Sequence, residues 1–299
     1  MPNNVYSAWL PIVSHDTIYV TVNSNIMTEK NQKYYPTINQ SFWLIAKLIL
    51  ISIPASIPLI IFMIFKDDLG EDSIFKSIAL LFSYAITFFW IIKIARTRVK
   101  KQGLWEIKWK KQKVSIGSLG IFLIMTLAVI IIIDPITELI PMPESFIKVF
   151  EDMIQPNIFS FLTIVVLAPF FEELLFRGII LEAFLKNYSP WKAIIWSAII
   201  FGTAHFNPWQ TIGASLAGIF IGWAYVKTNS LIPGIMIHFV NNLIGFSIMI
   251  FSQNNSLYLS DFIDSPLLHS ILIIISIITV ITGGILINKQ KAINNVYSK

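Results

Sequence analysis

Three charged residues lie close together inside an otherwise apolar stretch, residues 158–185. They are Glu172, Glu173 and Arg177. A charged side chain at the centre of a bilayer costs about 2.5–3.5 kcal/mol, so such residues persist where they pair with one another and face protein or water. Glu173 and Arg177 are four residues apart and share one helix face, which predicts an ion pair. Glu172 is turned by about 100° around the axis, which leaves one carboxylate free for acid–base chemistry.

Further polar side chains lie in two of the apolar segments that follow. His205 ends the segment over residues 190–206, and His238 and Asn242 lie four residues apart within residues 231–251. The chain has only four histidines, and the other two lie outside the interiors of the apolar segments. A carboxylate, imidazoles and an amide can supply a general base and hydrogen-bond donors. We therefore expect the three segments to bring these side chains to one pocket.

These residues form three short motifs that occur in a fixed order. The motifs are Glu172-Glu173-x-x-x-Arg177, Phe201-x-x-x-His205 and His238-x-x-x-Asn242. In order and spacing they resemble the three motifs of the CPBP (Abi) family, which comprises CAAX prenyl proteases and bacteriocin-processing or immunity proteins. The resemblance covers about residues 158–251, and the remaining apolar segments carry no motif.

The resemblance implies an intramembrane endopeptidase that hydrolyses a peptide bond without a covalent intermediate. It implies roles for six residues: Glu172 as the general base that activates water, His205 as a holder of that water, His238 and Asn242 as oxyanion donors, and Glu173 with Arg177 as the pair that fixes the helix. Burial favours the neutral form of a carboxyl group and so makes a carboxylate a better base near neutral pH. The expected partner is a membrane-associated peptide or protein substrate.

A bound metal is left open by the sequence. Two histidines and a glutamate match catalytic zinc ligation in residue type, and the family resembled is often described as metalloproteases. The chain has no His-Glu-x-x-His motif, which is the usual zinc-protease pattern. Our interpretation favours a site without tightly bound zinc, with a divalent metal as the alternative. The absence of cysteine excludes thiolate sites and disulfides.

Other interpretations of the same residues remain open. Glu173 and Arg177 also fit a purely structural ion pair, and intramembrane histidines often form hydrogen bonds between helices. The competing function is a non-enzymatic immunity or scaffold protein that binds a partner membrane protein. A proton-coupled transporter could use Glu172 and Glu173 as a relay, but the two halves show no internal repeat and no matching pair of broken helices.

The composition indicates which elements must position these residues. The chain has 299 residues, of which 55% are hydrophobic and 13% charged, whereas soluble domains contain about 25% charged residues. The hydrophobic residues occur in blocks, and the length of these blocks matches what a helix needs to cross the hydrocarbon core. We predict an all-α integral membrane protein with about eight transmembrane helices, over residues 41–65, 74–95, 115–133, 158–185, 190–206, 211–226, 231–251 and 267–287. Pro54 and Pro58 are expected to kink the first of them.

The charge of the loops predicts the orientation. The segment over residues 96–113 is strongly basic, so by the positive-inside rule it is cytoplasmic and both termini are cytoplasmic too. The loops over residues 66–73, 134–157 and 252–266 then lie outside, and they hold eleven of the seventeen acidic residues. Topology therefore explains the net charge of +5 without nucleic acid. We expect a multi-pass protein of the cell membrane, in a bacterial plasma membrane.

The sequence divides into four regions. They are a polar N-terminal tail (1–40), three transmembrane helices with a basic inner loop and an acidic outer connector (41–157), a catalytic helical core (158–251), and a last transmembrane helix with a basic tail (252–299). The tail lacks the basic and apolar parts of a cleavable signal, and Met27 is an alternative start. An amphipathic surface helix is expected over residues 141–154.

Overall fold

The computed structural model describes residues 33–65, 73–102, 114–140, 142–147, 155–251, 258, 262–263 and 265–297. Within these ranges the regular elements are helices and no strand occurs, which confirms the predicted all-α class. The main helices belong to the compact unit Tyr34–Lys299. They are α1 (Ile38–Ala55), α2 (Ile57–Ile64), α3 (Ser73–Lys101), α4 (Ile116–Glu138), α5 (Ile158–Asn187), α6 (Pro190–Thr203), α7 (Pro208–Thr228), α8 (Leu231–Phe251) and α9 (Pro266–Tyr297).

Six helical segments are long and apolar enough to cross a membrane. They are Ile38–Ile64, Ile74–Lys101, Ile116–Glu138, Ile158–Asn187, Leu231–Phe251 and Pro266–Lys289. The other two predicted spans form α6 and α7. Helix α6 has only 14 residues, about 21 Å at 1.5 Å per residue, against a hydrocarbon core of about 30 Å. The structure thus establishes six candidate spans and leaves the count of eight a prediction.

The first span is broken where the prolines predicted a kink. Helix α1 starts after Thr37, whose side chain accepts a hydrogen bond from the Gln40 backbone in a capping box. It ends at Ala55 with Pro54 in its last turn, and α2 begins at Ile57 with Pro58 at its second position. Because proline lacks a backbone donor and clashes with the preceding turn, the two prolines interrupt the helix. Most of the predicted surface helix over residues 141–154 lies outside the described residues.

Helix α5 carries the two glutamates between two π-helical segments. The α-helical stretch Ala168–Leu175 is preceded by the π segment Leu162–Leu167 and followed by the π segment Phe176–Leu181. Such segments widen the helix and free backbone groups for other partners, and they occur often at functional sites. Each π segment contains a carbonyl oxygen that accepts a hydrogen bond from a neighbouring helix: Ile164 O from Asn242 Nδ2 at 2.9 Å, and Phe176 O from Ser197 Oγ at 3.3 Å.

Helix α5 lies at the centre of the bundle. It contacts α3, α6 and α8. One buried cluster joins residues of α1, α3, α5 and α6 with one residue each from α7 and α8, and a second joins α4, α7, α8 and α9. Side chains on the outer face of α9, such as Ile274, Ile278 and Ile281, are exposed. An apolar surface of this kind suits contact with lipid rather than with water.

Helices α6 and α7 approach each other closely because small residues line their contact. A Cβ atom added at Gly202 would overlap Ser215 Oγ and the backbone carbonyl oxygen of Thr211. A Cβ atom added at Gly218 would lie 3.2 Å from Ala198 Cα. Small residues let two backbones pack closely in a membrane. This contact fixes the turn between α6 and α7, which contains His205.

Candidate active site

Glu172 has two carboxylate oxygens in different surroundings. Its side chain is 14% exposed. Tyr84, on α3, donates its hydroxyl hydrogen to Oε1 at 2.8 Å. The second oxygen, Oε2, is buried, makes no hydrogen bond within the part of the chain that the structure describes, and lies 3.8 Å from His238 Nε2. Oε2 is therefore the oxygen that can accept a proton.

Glu173 and Arg177 form the predicted ion pair. Both residues are fully buried, and Arg177 Nη1 donates to Glu173 Oε1 at 2.7 Å. Arg177 Nη2 donates to the backbone carbonyl of Gly218 at 3.2 Å, and the guanidinium lies 4.5 Å from the centre of the Phe201 ring. A planar cation that is paired, hydrogen-bonded and stacked in this way tolerates burial better than an isolated charge. The pair ties α5 to α6 and α7.

His238 connects the two glutamates. Its Nδ1 lies 3.1 Å from Glu173 Oε1, while its Nε2 faces Glu172 Oε2. An ionised carboxylate only accepts hydrogen bonds, so Nδ1 carries a hydrogen and donates it to Glu173. Hydrogen positions on an imidazole ring are assigned from the neighbouring groups, and the direction of this bond is assigned in that way. His238 thus turns its second nitrogen toward Glu172.

His205 lies in the turn after α6. Its Nδ1 is 3.0 Å from the backbone carbonyl oxygen of Phe201. Because a carbonyl oxygen only accepts, Nδ1 is the donor, and the neutral ring keeps a lone pair on Nε2. Phe206 follows with a positive φ of 55°, which turns the chain into α7, where the Asn207 side chain caps the new helix. The turn holds His205 at the wall of two cavities.

Phe201 is the common neighbour of the charged residues. Its ring meets those of His205 and His238 edge to face, at 5.2 and 5.5 Å between centroids, and it also lies under Arg177. Phe176 packs against its other side at 5.0 Å. Phe201 was part of a predicted motif but had no assigned role. In the structure it supplies an apolar support that fixes the separation of the imidazoles and the guanidinium.

Asn242 makes a contact that differs from the role implied by the family resemblance. Its Nδ2 donates to the carbonyl oxygen of Ile164 at 2.9 Å, and its Oδ1 lies 3.4 Å from Asn241 Nδ2. Pro169 lacks the N–H that would bond to a carbonyl one turn earlier on α5, so Asn242 supplies a donor to this stretch. Asn242 also lines the same cavity as His238.

Two cavities meet at Glu172. The first has a volume of about 630 Å³, lies among α1, α2, α3, α5 and α6, and has a mainly apolar lining that includes Leu48, Leu80 and Phe88. The second has a volume of about 520 Å³ and is lined by residues of α5 and α8, among them His238 and Asn242. Glu172, Tyr84 and His205 line both cavities. The carboxylate can therefore be reached from either side.

The donor set does not form a recognisable metal site. A catalytic zinc ion is held by three protein ligands. Within the described ranges, no three or more His, Asp and Glu side chains are arranged to hold a metal ion. Nδ1 of His238 donates to Glu173 and Nδ1 of His205 to Phe201, as in many metal-binding histidines, so only the missing third ligand disfavours a metal here. We derive no reaction step through a metal.

Tyr84 is not among the site residues that the sequence predicts. This residue lies in the second apolar segment, which carries no motif, and nothing in its own surroundings marks it. A buried tyrosine hydroxyl usually finds a hydrogen-bond partner, and two tyrosines inside helices do so with glutamates of α5: Tyr84 with Glu172, and Tyr225 with Glu182 Oε2 at 2.9 Å. The sequence shows that apolar segments contain both tyrosines and glutamates, and this could have predicted hydrogen bonds between them. It does not show which tyrosine contacts which glutamate.

Residues 154–244 match the family described as type II CAAX prenyl endopeptidase Rce1-like. We call residues 154–244 the Rce1-like region, after the family that they resemble. The match confirms the resemblance predicted from the three motifs, because all six predicted residues lie within the Rce1-like region. Tyr84, α1 to α4 and α9 lie outside it.

One curated relative matches part of the chain. The uncharacterized 24.3 kDa protein of Escherichia coli is 29% identical over 112 residues, which make up 36% of this chain and 52% of that protein. The chain thus spans about half the length of the curated relative that it matches. No solved structure matches the chain.

Proposed function

We propose that the protein is an intramembrane endopeptidase, similar to the CAAX prenyl proteases, that cleaves a membrane-associated peptide or protein with a water activated by Glu172. The Rce1-like region supports a protease of this kind at the level of the family. The six candidate spans support a multi-pass membrane protein. The bacterial source of the relative supports a location in a bacterial plasma membrane.

The observation that carries the proposal is the asymmetry of the Glu172 carboxylate. Oε1 is held by Tyr84, and Oε2 faces His238 Nε2 across 3.8 Å. The two atoms are too far apart for a direct hydrogen bond, and a water in the cavity beside them could contact both. Such a water would donate one hydrogen to Oε2, and His205 could accept its second hydrogen. General-base catalysis requires this contact between carboxylate and water.

The proposed reaction proceeds in two stages. Glu172 takes a proton from the water while the water oxygen attacks the peptide carbonyl carbon, so the carbonyl oxygen becomes an oxyanion. Glu172 then gives the proton to the amide nitrogen as the C–N bond breaks, and an acid and an amine leave. The carboxylate is restored, and no covalent intermediate with the protein forms. This route uses no metal, and chelation of divalent ions should leave the rate unchanged.

His238 is the proposed donor to the oxyanion. A protonated His238 would donate from Nδ1 to Glu173 and from Nε2 to the oxyanion. Its charge would balance the buried cluster, because Glu172 and Glu173 carry two negative charges and Arg177 one positive charge. Buried charges persist where such balance and hydrogen bonds exist together. A preorganised donor to an oxyanion is worth about 2.7–4 kcal/mol.

The first cavity suits the apolar part of a substrate that enters from the bilayer. Its lining is mainly apolar, and Glu172 and His205 lie at its wall. An apolar chain or side chain placed there would bring an adjacent peptide bond to the carboxylate. The second cavity has polar side chains such as Gln210, Asn241 and Asn242 and suits the polar end of the same substrate.

A comparison of peptide termini in membranes tests the proposal. Cells would express wild-type protein or Glu172→Gln at matched levels, and the termini of membrane peptides would be compared by mass spectrometry. Cleavage products found only with the wild type would support the endopeptidase and identify its substrate. Identical sets of termini, with an immunity phenotype retained by Glu172→Gln, would reject it in favour of the non-enzymatic immunity or scaffold protein.

A further inference from the structure

Tyr84 lies on α3, outside the Rce1-like region, yet it touches the proposed base directly. We infer that Tyr84 is a positioning residue that orients Glu172 so that Oε2 faces the water and the scissile bond. The inference rests on the proposed function. It adds a residue from the N-terminal half, which carries none of the three motifs, to the machinery of the site.

The tyrosine ring is fixed in place. It stacks on Phe88, one turn further along α3, at 4.6 Å between centroids and 27° between planes. The ring of Phe88 in turn lies 6.2 Å, between centroids, from the ring of Phe171, the residue before the proposed base. The hydroxyl then reaches Glu172 Oε1 at 2.8 Å. The aromatic packing thus sets the position of the hydroxyl and the position of the carboxylate together.

Helix α3 is also bonded to the beginning of α5. Ser77 Oγ lies 3.1 Å from Ser160 Oγ, and Asn157 Nδ2 donates to Ser77 Oγ at 2.8 Å. Ser77 and Tyr84 are seven residues apart, two turns of a helix, and so lie on the same face. Contacts at two levels keep α3 in a fixed register along α5. The Tyr84 hydroxyl therefore has a constant partner.

The hydrogen bond from Tyr84 gives the two carboxylate oxygens of Glu172 different roles. A phenol that donates to a carboxylate forms a charge-assisted hydrogen bond, which is stronger and more directional than a neutral one. It occupies Oε1 and leaves Oε2 for the water. Without the hydroxyl, the carboxyl group can rotate and share both oxygens between the water and His238. A misplacement of about 1 Å at a reacting group can lower a rate by about 10²-fold.

The test compares Tyr84→Phe with Tyr225→Phe. Tyr225→Phe removes a similar bond, Tyr225 to Glu182 Oε2 at 2.9 Å, from the same helix but away from the cavities at Glu172. Thr97→Val is a second control, because Thr97 lies on α3 outside both cavities and its hydroxyl donates to the carbonyl of Lys93 at 2.8 Å. The probe is the synthetic peptide, in detergent micelles, whose cut the comparison of termini identifies.

We expect Tyr84→Phe to lower kcat by about 10- to 100-fold, with KM and the midpoint of thermal unfolding close to wild type. Both controls should keep kcat within about two-fold, since neither hydroxyl touches the base. A purely structural role would instead lower the unfolding midpoint and leave kcat of the folded fraction unchanged.

The outcomes separate the inference from the function on which it rests. If wild-type protein cleaves the peptide and Tyr84→Phe keeps the wild-type kcat, the positioning role is wrong and the proposed function stands. If wild-type protein cleaves nothing, the proposed function fails and the positioning role fails with it. The kcat of the double variant adds a second measurement: in the Glu172→Gln background Tyr84→Phe should lower kcat no further, because the base that it orients is already gone, and a further loss of the full size would contradict a role through Glu172.

Discussion

At the residue scale, the two adjacent glutamates differ because their neighbours differ. Glu173 is fully buried and shares one oxygen between Arg177 and His238. Glu172 is partly exposed to two cavities and is bonded to Tyr84 at one oxygen only. The first environment suits a fixed structural charge, and the second suits a group that exchanges a proton. The helical spacing predicted this division, but the sequence alone did not indicate that His238 would touch both carboxylates.

The buried ion pair should contribute strongly to stability. Arg177→Met would leave the Glu173 charge without its main partner, and breaking a buried pair costs about 3–5 kcal/mol of unfolding free energy. Lys186→Met is the matched control on the same helix, since Lys186 lies 3.9 Å from Glu182 and is about a third exposed, and exposed pairs contribute about 0–1 kcal/mol. The free energy of unfolding in detergent is to be measured for both variants. Equal losses in the two would contradict the assigned role of the buried pair.

At the element scale, helix α5 departs from the regular helix that its apolar pattern predicts. A proline such as Pro169 disturbs the hydrogen bonding of a helix locally, but the two π segments also have partners that lie far away in the sequence. Ser197 and Asn242 donate to their carbonyls from α6 and α8. Tyr84 likewise reaches α5 from α3. Contacts of this kind come from packing, which residue patterns within one helix do not encode.

The donor to the first π segment should matter for folding. Asn242→Leu removes the hydrogen bond to the Ile164 carbonyl, and leaving a buried polar group unpaired costs about 1–3 kcal/mol. Asn241→Leu is the control, because among the described residues the side chain of Asn241 has one hydrogen-bond contact, a long one of 3.4 Å with Asn242. Unfolding in detergent should therefore show a larger loss for Asn242→Leu. If the Asn242→Leu protein keeps full stability and loses only its activity, Asn242 donates to the oxyanion and does not stabilise the helix.

At the scale of the whole molecule, the composition and the apolar blocks were sufficient to predict an all-α protein with membrane-spanning helices. The structure gives six candidate spans, and the two remaining helices, α6 and α7, form a closely packed pair. After α6 and α7 the chain is on the same side of the bilayer as before them, whether both helices cross the bilayer or neither does. The orientation predicted from loop charge is therefore independent of the final count.

The absence of cysteine makes that orientation easy to measure. Single cysteines would replace Lys108, in the basic segment, and Asp67, in the first acidic loop. An impermeant maleimide added to intact cells should label Asp67→Cys and leave Lys108→Cys unlabelled until the membrane is opened, because basic loops stay in the cytoplasm. The reverse pattern of labelling would show that the predicted orientation is wrong.

In the proposed mechanism, Glu172 activates the water that cleaves the substrate. The most direct measurement compares purified wild-type protein and Glu172→Gln on the synthetic peptide, in the same detergent and at matched unfolding midpoints. Because general-base catalysis contributes about 10²–10⁴-fold, we predict that kcat falls by that factor while the fold is retained. A Glu172→Gln protein that cleaves within a few-fold of the wild-type rate would contradict the account.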